Sequence, residues 1–290
     1  MDKLLEIFSL PFTKVLKSYE KEISVSREIR IRAGHPILLC GEQSVSIPGF
    51  YPNAKQMEEL LLCFCGQALY AHEEQLMQGY VTLPGGHRVG VCGRMLMNKG
   101  KPSHFADVQS MNIRIARQIP CDRRALPHLL KSNGIRSILI VSPPGFGKTT
   151  MLRDIARTLS CEGIQIAIAD ERGELAACLH GKPQLDVGPC TDVMDGMPKA
   201  ESMRLLVRAL SPQVIVSDEI GSEADSQAIL EARRCGVAVL CSAHGTTLRD
   251  VKTKPSMRVL FQEGIFDRIL ILGKKPGQIQ AVYDSEGRPC

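Results

Sequence analysis

The octapeptide Ser142-Pro143-Pro144-Gly145-Phe146-Gly147-Lys148-Thr149 follows directly on the apolar run Ile138-Leu139-Ile140-Val141. A buried strand that stops at a Gly-rich turn and resumes as a Lys-Thr-Thr helix start has few folds open to it. Gly145 and Gly147 permit the tight curl in which successive N–H groups point inward at phosphate oxygens. Lys148 is expected to reach the β- and γ-phosphates, and Thr149, followed by Thr150, to offer a hydroxyl to Mg²⁺. A helix starting near Lys148 adds its N-terminal partial positive charge to the same anion site. Ser142 stands where the general pattern has Gly.

The 290 residues suffice for two modest domains, and a composition of 44% hydrophobic and 23% charged residues is that of a globular chain with a sizeable core. A formal net charge of +5 is mildly basic and lacks the dense positive patch of a committed nucleic-acid binder. The eleven cysteines include no CxxC pair, and several sit inside apolar runs. They read as free thiols in a reducing cytosol, not as disulfides or zinc ligands. Asp2, Glu6 and Pro11 argue against a signal peptide, and no apolar run approaches the ~20 residues that span a bilayer.

The second half alternates apolar strands with helices. Strands are expected at 135–141, 165–169, 214–216, 237–241, 266–272 and 279–283, and helices at 148–160, 202–210 and 223–235. Residues 181–198 read as loop, and Lys274-Lys275-Pro276-Gly277 as a turn. Continuous apolar strands separated by helices imply a mainly parallel sheet covered on both faces. The first half differs. Residues 26–32 and 111–117 alternate apolar and charged positions, a hairpin pattern spans 80–94, and a helix spans 54–68. This reads as a smaller α+β domain, residues 1–120, before a nucleotide-binding domain, residues 121–290, with the boundary near Pro120.

Hydrolysis of a bound nucleotide needs a metal anchor and an acid that positions water. The strand Val214-Ile215-Val216-Ser217 delivers Asp218 and Glu219 to the carboxyl edge of the sheet, where ligands bind. Asp218 would hold Mg²⁺ through water, and Glu219 would orient or deprotonate the attacking water. His244 ends the next strand, within reach of the γ-phosphate or of Glu219. Asp170 and Glu171 end the strand after the Lys148 helix; they contact the metal's water shell or the nucleotide, or they form a solvated loop with Arg172. Arg204 and Arg208 sit one turn apart, to pair with carboxylates, to cross a subunit boundary or to face solvent.

Residues 205–220 resemble the stretch leading through the second acidic motif of the secretion ATPases of type II and type IV systems. His244 falls at their His box and Asp170-Glu171 at their Asp box. Over both halves the chain resembles the stage III sporulation AA family of endospore-forming bacteria. The residues that carry this are 28–36, 85–90, 112–117, 142–150, 152–157 and 170–174; the Ser142-Pro143-Pro144 opening fits that family. The resemblance implies a RecA-like P-loop ATPase of the mother-cell cytoplasm that uses ATP and Mg²⁺. It also implies a homo-hexameric ring with ATP between subunits, docked at the inner membrane on channel proteins of a secretion-like complex. Arg88, Arg94, Arg114 and Arg117 are then candidates to contact phosphate across a subunit boundary, and no nucleic-acid partner is expected. Two departures are notable: secretion ATPases have Gly where Asp218 stands and Arg-Asp where Gly221-Ser222 stands. A nucleic-acid-dependent ATPase and a nucleotide-sensing scaffold that does not hydrolyse stay open as alternatives.

Overall fold

The structure, a computed structural model, describes residues 2–98, 100–116, 129–130, 134–273 and 277–290. The chain divides into two compact units, Met1–Arg117 and Gln118–Cys290. Pro120 and three residues of the expected turn, Lys274, Lys275 and Pro276, lie outside the described residues.

The first unit is built on an antiparallel sheet of β1 (Glu28–Arg32), β2 (Ile37–Cys40), β3 (Ser44–Ile47), β4 (Tyr80–Thr82), β5 (Arg88–Asn98) and β6 (Lys101–Arg114), in the order β3-β2-β1-β6-β5-β4. Register sorts its two faces. Ile29 pairs with Ile113, which pairs with Val89, so a fully buried row forms across three strands. The adjacent row is Glu28, Arg114 and Arg88, because a strand's side chains alternate faces. Helix Ala54–Phe64 buries Met57, Leu60, Leu61 and Phe64 in this core, and its start is fixed by a capping box between Asn53 and Gln56. Of the segment 111–117, expected as a short strand, residues 111–114 are the end of the 14-residue β6. The helices Asp2–Leu5, Leu10–Lys17 and Glu20–Val25, and strands β2 and β3, have no counterpart in the sequence reading.

The second unit carries β7 (Ile138–Ser142), β8 (Ile166–Asp170), β9 (Thr191–Asp195), β10 (Val214–Ser217), β11 (Ala238–His244), β12 (Arg268–Leu272) and β13 (Ile279–Tyr283). Their order is β13-β12-β7-β11-β10-β8-β9, parallel throughout except for β13. Every residue of β7, β8 and β10 is buried, because helices cover both faces. One expectation is corrected: residues 181–198 are not all loop, since they contain β9. Its sequence, Thr-Asp-Val-Met-Asp, is half exposed and lacks an apolar run. Only the ladder with β8 makes it a strand, a long-range pairing that local pattern does not report.

Candidate active site

The carboxyl ends of β7, β8, β10 and β11 lie side by side. In register, Ser142 on β7 pairs with His244 on β11, and Ser217 on β10 pairs with Cys241 on β11 and Ala169 on β8. After β7 the chain turns through Gly145 at φ 80° and Gly147 at φ 89°, left-handed backbone suited to glycine. Helix Lys148–Cys161 begins there, with Gly147 as its N-cap. Ser142 is fully buried, and its hydroxyl donates to the Pro143 carbonyl at 3.0 Å. The Phe146 carbonyl accepts from the Gly277 amide at 3.3 Å.

Lys148 is only 5% exposed. Its ammonium donates to the carbonyls of Ser142 (3.1 Å) and Pro143 (3.2 Å) and to His244 Nδ1 (3.3 Å), and it lies 4.0 Å from Glu219 Oε1. Burial pulls its pKa below the usual lysine value, against the opposing pull of the Glu219 and Asp218 carboxylates. Asp218 Oδ2 accepts from the Thr149 hydroxyl, and Oδ1 accepts from the Ser242 hydroxyl and from the Glu219 amide (2.9 Å). Glu219 Oε1 meets His244 Nε2 at 2.8 Å, while Oε2 lies 3.6 Å from Arg172. Thus Thr149, Lys148, Asp218, Glu219 and His244, drawn from three distant places in the sequence, form one connected cluster.

A hydroxyl bonded to a carboxylate is an oxygen donor set suited to a hard cation. The described residues contain no group of three or more His, Cys, Asp or Glu side chains disposed to hold a metal. Thr149 and Asp218 therefore fit Mg²⁺, which keeps most of its shell as water and phosphate oxygen, and do not form an all-protein cage.

Asp170 and Glu171 play different parts. Asp170 is 3% exposed, and its carboxylate accepts from the amides of Glu174 (2.9 Å), Leu175 (3.1 Å) and Ala176 (2.8 Å). Burial pushes its pKa up, with these three N–H bonds pulling the other way. Its carboxylate holds the loop that follows β8, and the Arg153 guanidinium secures the same loop through the carbonyls of Glu174 and Leu175. Glu171 instead accepts from the Lys199 amide at 3.3 Å. A cavity of about 20 Å³, room for one water, is lined by Asp170, Glu171, Arg172, Lys199, Asp218 and Glu219 among others.

The sequence reading missed Ser242, Lys199 and Arg153 as site residues. Ser242 had a signal: it lies two positions before His244 on β11, on the same face. Arg153 and Lys199 had none, since their partners are backbone carbonyls that only the fold brings near. Arg204 pairs with Glu231 at 2.7 Å, and Arg208 is exposed. In the first unit Arg88 stacks over the Tyr80 ring at 3.6 Å, Arg94 pairs with Asp107 at 2.8 Å, and Arg114 lies 3.8 Å from Glu28. Arg117 lies outside the described residues.

Residues 1–289 match the family described as "Sporulation stage III, protein AA". The chain is 40% identical over 269 residues to stage III sporulation protein AA of Bacillus subtilis (strain 168), covering 90% of this chain and 87% of that protein. Its fold is similar to that of the ATPase DotB of Legionella pneumophila, with a TM-score of 0.60 at 15% identity, covering 91% of this chain and 76% of that one. The pilus retraction motor PilT, solved with bound ADP, gives 0.59 at 16% identity, covering 89% and 77%. At these identities the likeness is one of fold, and it is the α/β, RecA-like class expected from the sequence.

Proposed function

The chain belongs to the sporulation stage III protein AA family, and we propose that it is a Mg²⁺-dependent ATPase that drives a secretion-like channel complex in sporulation. One observation carries this reading: Lys148, Glu219 and His244, from three neighbouring strand ends, form a closed triangle of 2.8, 3.3 and 4.0 Å at the mouth of a phosphate-binding loop. The loop amides and the helix N-terminus favour the phosphate chain of ATP. Lys148 exchanges its bonds to the Ser142 and Pro143 carbonyls for bonds to phosphate oxygens. Glu219 holds the attacking water and takes its proton, and His244 fixes that carboxylate. When bound at Thr149 and Asp218, Mg²⁺ supplies charge neutralisation at the phosphates. Asp170 keeps the neighbouring loop in shape, and Glu171 acts through Lys199.

The proposal extends to assembly. Residues 121–290 form the ATPase domain, and residues 1–120 the domain that supplies arginines to a neighbouring subunit's nucleotide in a hexameric ring. Arg88, Arg94, Arg114 and Arg117 are the candidates. The ring works in the cytoplasm on membrane channel proteins; among the described residues no helix is long and apolar enough to cross a membrane itself. The test is phosphate release from ATP and Mg²⁺ by the full chain, at concentrations that allow assembly, beside Lys148→Ala. Release that depends on Mg²⁺ and vanishes together with nucleotide binding in the variant supports the reading. Equal release by both chains overturns it.

A further inference from the structure

We propose that Lys199 is a positioning residue: its ammonium clamps the backbone of Asp218 and Glu219 and so aims the Glu219 carboxylate at His244. The placement of this lysine is costly on two counts. It is the first residue of helix Lys199–Leu210, where a positive charge faces the positive end of the helix dipole. Its side chain is also only 12% exposed, so the charge has lost most of its water. What it meets there is specific. Nζ donates to the Asp218 carbonyl at 2.8 Å and to the Glu219 carbonyl at 2.9 Å, with Glu171 Oε2 at 3.9 Å.

Two successive carbonyls converge on one ammonium only if the backbone between them bends sharply. Glu219 has φ 45°, left-handed backbone that a residue with a long side chain seldom adopts. The opposite side of the same peptides is tied to β11: the Glu219 amide donates to the Ser242 hydroxyl at 3.0 Å, and the Ile220 amide to the Ser242 carbonyl at 2.8 Å. Glu219 is thus held between β11 and Lys199. Without the ammonium its carbonyl is free to swing, the residue relaxes toward ordinary backbone, and the carboxylate leaves His244. Lys199 meets the site through the carbonyls of Asp218 and Glu219 and through the Glu171 carboxylate, so it acts on turnover through Glu219.

This inference rests on the hydrolytic reading, and the experiment separates the two. The full chain is compared with Lys199→Met, which keeps the stem and loses the donors, and with Lys199→Arg, which keeps donors. Fluorescent ATP-analogue binding reports affinity, and phosphate release at saturating ATP reports turnover. The expected result is affinity within about threefold of the parent, turnover at least about tenfold lower in Lys199→Met, and partial recovery in Lys199→Arg. Unchanged turnover in Lys199→Met, or affinity and turnover falling together, overturns the clamp. Should the parent chain release no phosphate, the hydrolytic reading alone falls. Hydrogen exchange then decides the clamp: faster exchange at the Glu219 and Ile220 amides in Lys199→Met supports it, and unchanged exchange overturns it.

Discussion

His244 lies between two partners of opposite sign, with Nε2 2.8 Å from Glu219 Oε1 and Nδ1 3.3 Å from Lys148 Nζ. An ammonium only donates, so Nδ1 must accept and Nε2 must carry the proton that it gives to the carboxylate. The imidazole thereby joins the loop lysine to Glu219 Oε1, and Oε2 is left facing Arg172 at 3.6 Å. Replacing Glu219 by Gln keeps the shape and removes the carboxylate proposed as the base. Glu219→Gln is expected to bind nucleotide like the parent and to release phosphate about 10²- to 10⁴-fold more slowly. Near-parental release by this variant in a coupled phosphate assay sinks the base assignment.

Asp170→Ala tests the loop. Removing the carboxylate orphans three amides, of which those of Leu175 and Ala176 belong to residues almost without exposure. A buried donor left unpaired costs about 1–3 kcal/mol, so the expected loss is at least a few kcal/mol in denaturant unfolding of the full chain. A variant as stable as the parent removes the loop-holding role.

His87 makes the first unit sensitive to acid. Its Nδ1 accepts from the Ala116 amide at 3.0 Å, and burial pulls its pKa from the usual 6.5 down to about 4. The unfolded chain therefore takes up this proton at a higher pH than the folded one. The stability contributed by neutral His87 is complete above pH 6.5 and is lost as pH falls toward 4. Thermal melting recorded across this window should fall more steeply for the parent than for His87→Gln. Parallel curves contradict the assignment.

Gly245, next to His244, has no room for a side chain. A Cβ there would stand 2.5 Å from Val251 Cγ2 and 3.2 Å from Val141 Cγ1, both on buried residues. Gly245→Ala is expected to destabilise by about 1–3 kcal/mol, the range for overpacking a filled core. Val251→Ala should recover part of that loss when the two changes are combined, since it deletes the nearer methyl. Additive losses in the double variant speak against steric conflict as the cause.

The architecture of the second unit was legible because its strands are short apolar runs ending in chemistry: Val141 before the glycine turn, Ser217 before Asp218, Cys241 before His244. Strand β9 was not legible, because an edge strand with Asp192 and Asp195 exposes half its surface and derives its shape from β8. The helices at the N-terminus were missed for a related reason. Leu4, Leu5, Phe8, Phe12 and Leu16 are buried, yet they are spread over two short helices and a turn, so no single helical period runs through them.

The residue types of the candidate site are written in the sequence alone: a lysine and threonine after a glycine turn, two acids after a buried strand, a histidine after the next. Local pattern suffices there because each motif is contiguous and each follows its own apolar strand. The tertiary structure decided how they meet. The order β7-β11-β10-β8 sets His244 between Lys148 and Glu219, gives Asp170 to the loop amides, and brings Lys199 and Ser242 onto the backbone of Glu219. Apart from those of Asp170, which reach four to six positions along the chain, these contacts join residues 20 to 96 positions apart. Their partners are mostly backbone groups, which every residue carries alike, so side-chain pattern could not announce them.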